Sequence, residues 1–520
     1  MRNEFNNTDE SKPSLPSAEE YRALLQEKGS ESHLEAYNKV LEVHQVIQNA
    51  GGEAYLVGGT VRDMISGVIP KDFDIEVYGI DPAKLDELIS PLFDKIALVG
   101  KSFGILKART GDVEIDVALP RIETKTGEGH KGFETEPAPN LSKVEATNRR
   151  DFTINSMLAN PETGEIIDLH NGLEDLKNKT LRVTNPAKFG EDPLRVLRAL
   201  QFISRFDLKI DPSSVGIIKQ TIPSLSELSA ERIRDEWEKL LLKSKYPSKG
   251  LDAGMELGVF ANLHPELASL PNTPQEPAWH PEGDVWIHTL KSVDSAVQIA
   301  RREKLSESDA MVVILAALCH DFGKPSTTEE KDSKIISYGH DQAGEQLALD
   351  FLNSLRVDNL TKAKVAKLVA NHMTPSRLYH MENKGGKVGD GAIRRLAAKI
   401  APATIEELIL VSESDKAGRG PFMDPNSPEQ ALMRYPSEAT EWLLKRAREL
   451  NVEQKKPDNL IGGNELMALG FEPGALMGEI IKLANELRDE KGMSKEEVLE
   501  FIKKNSKDNI LEDLQSKLAD

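Results

Sequence analysis

Apolar residues recur at helical spacing from about Ala18 to Ala50, and the run stops at Gly51-Gly52, a C-terminal cap signal. Short apolar runs at 54–57, 73–78, 96–98, 103–108 and 112–118, divided by Gly and charged turns, predict strands, with helices at 60–67 and 82–93. This is the pattern of a small mixed sheet flanked by helices. RIETKTGEGHKGFETEPAP (121–139) has no periodicity and a Gly-rich, charged composition, which predicts a mobile loop. In TNRRDFTINSM (147–157) a helical apolar pattern follows Arg149 and Arg150, so the two arginines are expected to enter a helix. IIDLHNGLEDL (166–176) reads as strand, turn and helix start. In FGEDPLRVLRALQFISRF (189–206), Leu194, Leu197, Leu200 and Phe202 mark a core-facing stripe, while Glu191, Asp192, Arg195 and Arg198 share the other side. ERIRDEWEKLL (231–241) is a further amphipathic helix, and 460–492 reads as a helix pair divided by a Gly/Pro turn.

The fold class is therefore α+β: a small mixed-sheet head followed by a mostly α-helical remainder. At 520 residues the chain exceeds one domain. Its polar, Pro/Ser-rich residues 1–20 are expected to form a disordered tail. Domains are expected at 21–160 (head), 161–270 (helical neck), 271–425 and 426–520 (helical tail). No apolar run is long enough to span a membrane, the N-terminus lacks an apolar leader, and one cysteine leaves no internal disulfide. A cytoplasmic protein is expected. The net charge of −19 argues against a protein that coats nucleic acid broadly. Residues 181–250 depart from it, with 13 Lys/Arg against 9 Asp/Glu.

The candidate chemistry begins in YLVGGTVRDMISGVIPKDFDIEVY (55–78). Gly58-Gly59 lets backbone N–H groups approach a phosphate, and Arg62 can clamp it. Asp72 and Asp74 share one face of a strand, with Phe73 turned into the core. Paired carboxylates repel unless a cation lies between them, and hard oxygen ligands favour Mg²⁺. Asp116, mid-strand in VEIDVALPR, would complete a carboxylate triad if its strand pairs beside them. Arg149 and Arg150 suit a triphosphate, and Asp151 could accept from a ribose hydroxyl. Together these suggest nucleotidyl transfer. Alone, a GG turn or a DxD strand is more often structural.

The ordered motifs GGTVRD, DFD, RRDFTIN, DLHNGLEDL and EDPLR resemble the class II tRNA nucleotidyltransferase and bacterial poly(A) polymerase family over roughly 55–245. The resemblance implies a nucleotidyltransferase head in which Asp72 and Asp74 hold catalytic Mg²⁺, with Asp116 as third carboxylate. It implies that Gly59 and Arg62 contact the triphosphate, and Arg150 and Asp151 the phosphate and ribose. EDPLR matches the motif by which a protein helix pairs with incoming C or A. Asp192 and Arg195 would read the base, Glu191 would brace Arg195, and Arg198 would lie beside the nucleotide. The 121–134 loop resembles the element linked to adding the terminal A. The implied partners are the tRNA 3′ end, CTP and ATP.

A second constellation lies downstream. His288 in VWIHTL, His320-Asp321 in CHDFGKP, His340 in YGHDQAG, His372 in ANHMTP and Asp415 in SESDKAGRG offer mixed N/O ligands for a divalent transition metal. They resemble the HD metal-dependent phosphohydrolase superfamily, which implies His288, His320, Asp321 and Asp415 as ligands of one metal. His340 and His372 are candidates for a second, and Lys324 for meeting a phosphate. Cys319 reads as a small core residue. Head plus HD domain looks like the multifunctional CCA-adding proteins, implying phosphatase and 2′,3′-cyclic phosphodiesterase activity beside CCA addition. The chain departs from the short form at its N-terminal extension and beyond about 425. Alternatives left open are a poly(A) polymerase, a CC- or A-adding enzyme, and an HD hydrolase with an RNA-binding head.

Overall fold

The structure, a computed structural model, describes residues 14–93, 96–98, 105–125, 133–419, 437–507 and 509–519. It divides into two compact units, one through Ser229 with Glu256–Asn262 and one of Ala230–Met255 with the chain from Leu263. Residues 230–255 of the expected neck thus cluster with the downstream part of the chain.

The first unit opens on helices α1 (Ala18–Lys28) and α2 (Glu31–Asn49). The single helical stretch read from spacing breaks at Gly29-Ser30, where Ser30 caps α2 by accepting from His33 N. The disordered tail expected at 1–20 is corrected from residue 14 on, where Ser14 bridges to Glu165, Leu15 is buried and Ser17 caps α1; residues 1–13 lie outside the described residues. The apolar Leu15 side chain is what ties this segment down.

A seven-stranded mixed sheet follows, built from β1 (Glu53–Val57), β2 (Phe73–Tyr78), β3 (Ile96–Leu98), β4 (Ile105–Thr110), β5 (Val113–Ala118), β8 (Leu158–Ala159) and β9 (Ile166–Ile167) in the order β3-β4-β5-β2-β1-β8-β9. Among the described strands of this sheet, β2 and β5 pair in parallel and the other neighbours antiparallel. Helices α3 (Gly59–Ile65) and α4 (Pro82–Ile89) join the early strands. Along β2, Phe73, Ile75 and Val77 are buried, and along β5, Val113, Ile115 and Val117; both sets pack in one core with Tyr21, Tyr37, Val40 and Ile47 of the helices. Period-two alternation therefore turns Asp74 and Asp116 to the opposite face.

Residues 121–137 are not wholly loop. Arg121–Lys125 (β6) and Phe133–Pro137 (β7) pair as an antiparallel ribbon outside the main sheet, and 126–132 lie outside the described residues. Neither RIETK nor FETEP carries an apolar period, so periodicity missed the pairing. A second correction concerns the arginine pair. Arg149 and Arg150 follow the short helix α5 (Lys143–Thr147), and a three-residue 3₁₀ turn at Thr153–Asn155 leads into β8 rather than a helix. Leu158 and Ala159 pair with β1, so sheet formation outweighs the helical pattern.

Helix α6 (Gly172–Lys177) starts where Asp168 accepts from Gly172 N and Leu173 N. Helices α7 (Pro186–Phe189) and α8 (Leu194–Phe206) follow. Pro193 stands at the N-cap of α8, so Glu191 and Asp192 precede the helix instead of sharing a face with Arg195 and Arg198. Arg195 is buried.

The second unit is helical. Trp237 on α10 (Ala230–Lys243, after α9, Pro212–Thr221) donates Nε1–H to His264 Nε2 at 3.2 Å in an aromatic cluster with Phe351. Helix Val285–Arg302 packs against Glu307–Cys319 and Ile405–Gly418, and His340–Ser354 against Asn359–Val369. Beyond 437, Gly463–Ala468 and Ala475–Lys491 form the expected helix pair, with a core that includes Ile480, Leu487, Val498 and Leu514. No described helix is long and apolar enough to cross a membrane.

Candidate active sites

Asp74 and Asp116 are register partners on parallel β2 and β5. Asp72, one residue before β2, accepts from Glu114 N through Oδ1 (3.1 Å), which ties it to the same strand pair. The Asp74 side chain is exposed, yet its carboxyl is pushed up to about 6. Protein packed around the strand is the largest cause, Asp116 and Asp72 add to it, and Arg150 and Lys107 oppose it. Lys107 Nζ lies 2.7 Å from Asp116 Oδ2, and Asp116 Oδ1 is buried with no hydrogen-bond partner. Three hard carboxylates, one with an unpartnered buried oxygen, are a donor set suited to Mg²⁺.

Gly58 sits beside them at φ 67°, ψ −132°, and a Cβ there would stand 2.9 Å from Arg150 Nη1 and 3.8 Å from Asp74 Oδ2. Only glycine leaves that space and holds that backbone without strain. Gly59 opens α3. The guanidinium of Arg62 is buried, donating to Asn155 Oδ1 (2.6 Å) and Asp63 Oδ1 (2.7 and 2.9 Å), and lies 4.2 Å from the Phe206 ring centre.

Asp151 is also buried. Oδ1 accepts from Phe152 N (2.8 Å) and Asn155 Nδ2 (3.0 Å), and Oδ2 from Arg198 Nε (2.7 Å). Burial acts to raise its carboxyl, but Arg198 and Asn155 outweigh this and hold it below the usual range. A hydrogen-bonded chain thus runs from Asp63 through Arg62, Asn155 and Asp151 to Arg198 on α8. Asn155 was missed by motif reading, although it belongs to RRDFTIN. Arg195 donates to the carbonyls of Lys188 and Arg149 (2.6 Å each), not to Glu191, and Asp192 Oδ1 accepts from Leu194 N (3.1 Å). Arg149 donates to Arg121 O, and Arg150 Nη2 lies 3.7 Å from Glu76 Oε1.

The second unit brings its site residues together. His320 and Asp321 follow an apolar helix, His340 opens the next long helix, and Asp415 lies one turn before the end of Ile405–Gly418. Gly323 allows this meeting, since a Cβ there would stand 2.1 Å from His340 O. His320, His340 and His372 each place Nδ1 2.7 Å from the carbonyl three residues earlier, of Ala317, Ser337 and Val369. His288 Nδ1 lies 2.7 Å from Glu282 Oε1. With Nδ1 donating in all four, every Nε2 is left as an acceptor. These acceptors converge: His288 Nε2 is 3.2 Å from His320 Nε2, and His340 Nε2 is 3.3 Å from His372 Nε2.

Asp415 Oδ1 lies 3.1 Å from His288 Nε2, and Asp321 places Oδ2 3.2 Å from His320 Nε2 and Oδ1 3.6 Å from His340 Nε2. The ligand atoms form two clusters, His288–His320–Asp415 and Asp321–His340–His372. Facing lone pairs at van der Waals distance call for a cation, and N/O donors fit a divalent transition metal. Burial acts against the charged carboxylates, but His320 and Lys324 hold Asp321, and Arg419 and His288 hold Asp415, well below the usual range. Burial and the neighbouring His320 and His340 lower His372 to about 3. Lys324 Nζ contacts Asp321 Oδ2 (2.7 Å) and Gln275 Oε1 (2.6 Å). Glu282, Gln275 and Arg419, which pairs with Asp415 at 2.8 and 2.9 Å, were not read from sequence. Cys319 is core: it is fully buried, and burial raises its thiol.

Known proteins match this chain along its length. Residues 54–182 match the poly A polymerase head domain family, 207–270 the "Probable RNA and SrmB- binding site of polymerase A" and 285–418 the HD domain. The multifunctional CCA protein of Mannheimia succiniciproducens is 32% identical over 440 residues, covering 83% of this chain and 95% of its own. That of Nitrosococcus oceani is 33% identical over 389 residues, covering 74% and 89%. Among solved structures, the Bacillus stearothermophilus CCA-adding enzyme in complex with CTP superposes with TM-score 0.60 at 19% identity, over 93% of this chain and 98% of that one. The Thermotoga maritima CCA-adding enzyme complexed with tRNA gives 0.53 at 20%, over 97% and 100%. These two show the fold. With the curated relatives and the three domain matches, they place this chain in the family of multifunctional CCA proteins, enzymes of the nucleotidyltransferase class that carry an HD domain.

Proposed function

We propose that the protein adds CCA to tRNA 3′ ends from CTP and ATP without a nucleic-acid template, and that its HD site hydrolyses phosphate esters at nucleotide or RNA ends. The in-register pair Asp74 and Asp116, with Asp72 tied to the same strands, carries the first reading. The RNA 3′-oxygen attacks the α-phosphorus, the bond to the β-phosphate oxygen breaks, pyrophosphate leaves, and the hydroxyl proton passes to solvent. Mg²⁺ held by Asp72, Asp74 and Asp116 supplies, when bound, neutralising charge for the triphosphate and a lowered hydroxyl pKa, the two-metal form being the one the carboxylate pattern suits. Gly58 and Gly59 leave room for phosphate against the backbone, and Arg62 and Arg150 offer positive charge beside it. Asp151 keeps the ribose side polar, and Asp192, Arg195 and Arg198 serve the base, with Glu191 beside them. Fixed protein donors and acceptors there replace a template strand.

In the HD site, His288, His320, Asp321 and Asp415 would hold one divalent metal, and His340 and His372 with Asp321 a second. Water adds to phosphorus, one P–O ester bond breaks, and the freed oxygen takes a proton. Lys324 offers charge to the phosphate. Asp72→Ala with Asp74→Ala should abolish nucleotide incorporation and leave hydrolysis of a 2′,3′-cyclic nucleotide intact. Asp321→Ala should do the reverse. Incorporation that survives the double substitution would overturn the head assignment.

A further inference from the structure

Two side chains in the second unit are exposed without a structural reason. Tyr338 is 80% and Trp279 69% exposed, the two highest values among the large apolar side chains described. Single exposed aromatics are ordinary, but both of these stand in segments that adjoin the histidine site. Trp279 immediately precedes His280, whose ring centre lies 4.8 Å from that of the candidate ligand His288 and whose Nδ1 is 2.9 Å from Glu282 Oε1. Tyr338 follows Ser337, the residue whose carbonyl fixes His340.

The two segments are joined. The carbonyl of Glu276 accepts from Trp279 N (3.0 Å) and His280 N (2.9 Å), while its Oε2 accepts from Ile335 N (3.1 Å) in the hairpin Thr328–Lys331/Lys334–Ser337 that ends at Tyr338. Gln275, next to Glu276, accepts from Lys324 Nζ. One loop therefore carries an aromatic ring, a contact to the lysine beside Asp321, and the anchor of the hairpin bearing the second ring.

We infer that Trp279 and Tyr338 form a stacking platform for the nucleobase attached to the phosphate that the HD site takes, so that this site selects base-bearing phosphate esters. Every base offers a π-face, so such a platform binds a base without reading its identity. The inference rests on the proposed HD hydrolysis, and its test separates the two. The base could belong to a free nucleotide or to the last residue of an RNA.

The test compares 2′,3′-cyclic AMP, an oligoribonucleotide ending in a 2′,3′-cyclic phosphate, and glycerol 1,2-cyclic phosphate, which has the same strained ring and no base. For Trp279→Ala and Tyr338→Ala, the ratio of kcat/KM for the base-bearing over the base-free ester should fall roughly 5- to 100-fold, mostly through KM. A fall for both base-bearing esters assigns the platform to the nucleotide itself; a fall for the oligonucleotide alone assigns it to RNA ends. An unchanged ratio in both variants overturns the inference. Binding is read separately, without added metal, as quenching of tryptophan fluorescence by 2′-AMP that disappears in Trp279→Ala. If the wild type hydrolyses none of the three esters, the hydrolase reading fails. The platform then stands or falls on that quenching, and its absence from the wild type overturns it.

Discussion

Asp74 and Asp116 stand side by side as register partners on the parallel strands β2 and β5 of the head sheet. Their mutual repulsion is part of what pushes the Asp74 carboxyl up to about 6, and Lys107, 2.7 Å from Asp116, relieves it. Proton and metal compete for the same oxygens. At limiting Mg²⁺, incorporation of CMP into tRNA should therefore fall as pH drops below about 6. Lys107→Met removes a positive charge that lowers the Asp74 value, so it should move this acid limb to higher pH. A limb that stays in place or moves down would contradict the assignment.

Gly58→Ala introduces a Cβ 2.9 Å from Arg150 Nη1 at a φ of 67°. Strain of about 1–3 kcal/mol or displacement of Arg150 must follow. Incorporation should drop at least about tenfold while HD hydrolysis is retained. Steady-state kinetics of both activities on one preparation checks this.

The head was legible because its chemistry is local. Phe73, Ile75 and Val77 alternate with Asp74 and Glu76, and one rule of strand geometry turns the acids out of the core. Lys107, Asn155, Glu282 and Arg419 were not legible, since each acts through a partner brought near by the fold: Asn155 meets Arg62 across 93 positions. At Thr153–Met157 a few apolar residues imitated a helix, and pairing of Leu158 and Ala159 with β1 decided otherwise. Pro193 marked the start of α8, but the periodic reading ran through it. The downstream histidines were readable as a set. Their Nδ1 anchors depend on carbonyls at helix ends, which no spacing rule names.

Glu282 Oε1 holds His288 by Nδ1 and so fixes which nitrogen faces Asp415. Glu282→Gln should weaken metal binding at the HD site by about 10- to 100-fold, the usual cost of losing such a support. Metal titration followed by equilibrium dialysis measures this directly, and nucleotide incorporation provides the folding control.

His264 is held to about 3 by burial, against an ordinary value of 6.5. Its unfolded form binds the proton first, so stability is full above pH 6.5 and declines as pH falls toward 3. At about pH 4.5 the loss from this one group is roughly 2–3 kcal/mol. Urea unfolding of the wild type and of His264→Gln, which retains an acceptor for Trp237, should show a shallower acid slope in the variant. Equal slopes would mean that His264 does not titrate as its burial dictates.

The central claim is most directly tested with purified protein, Mg²⁺ and a tRNA transcript ending at the discriminator base, with products sized to one nucleotide. CTP alone should extend the tRNA by two residues, CTP with ATP by three, and ATP alone should give no ladder. Long ladders with ATP alone would make the protein a poly(A) polymerase. No extension, with phosphate released from nucleotide or RNA ends, would move its function to the HD site.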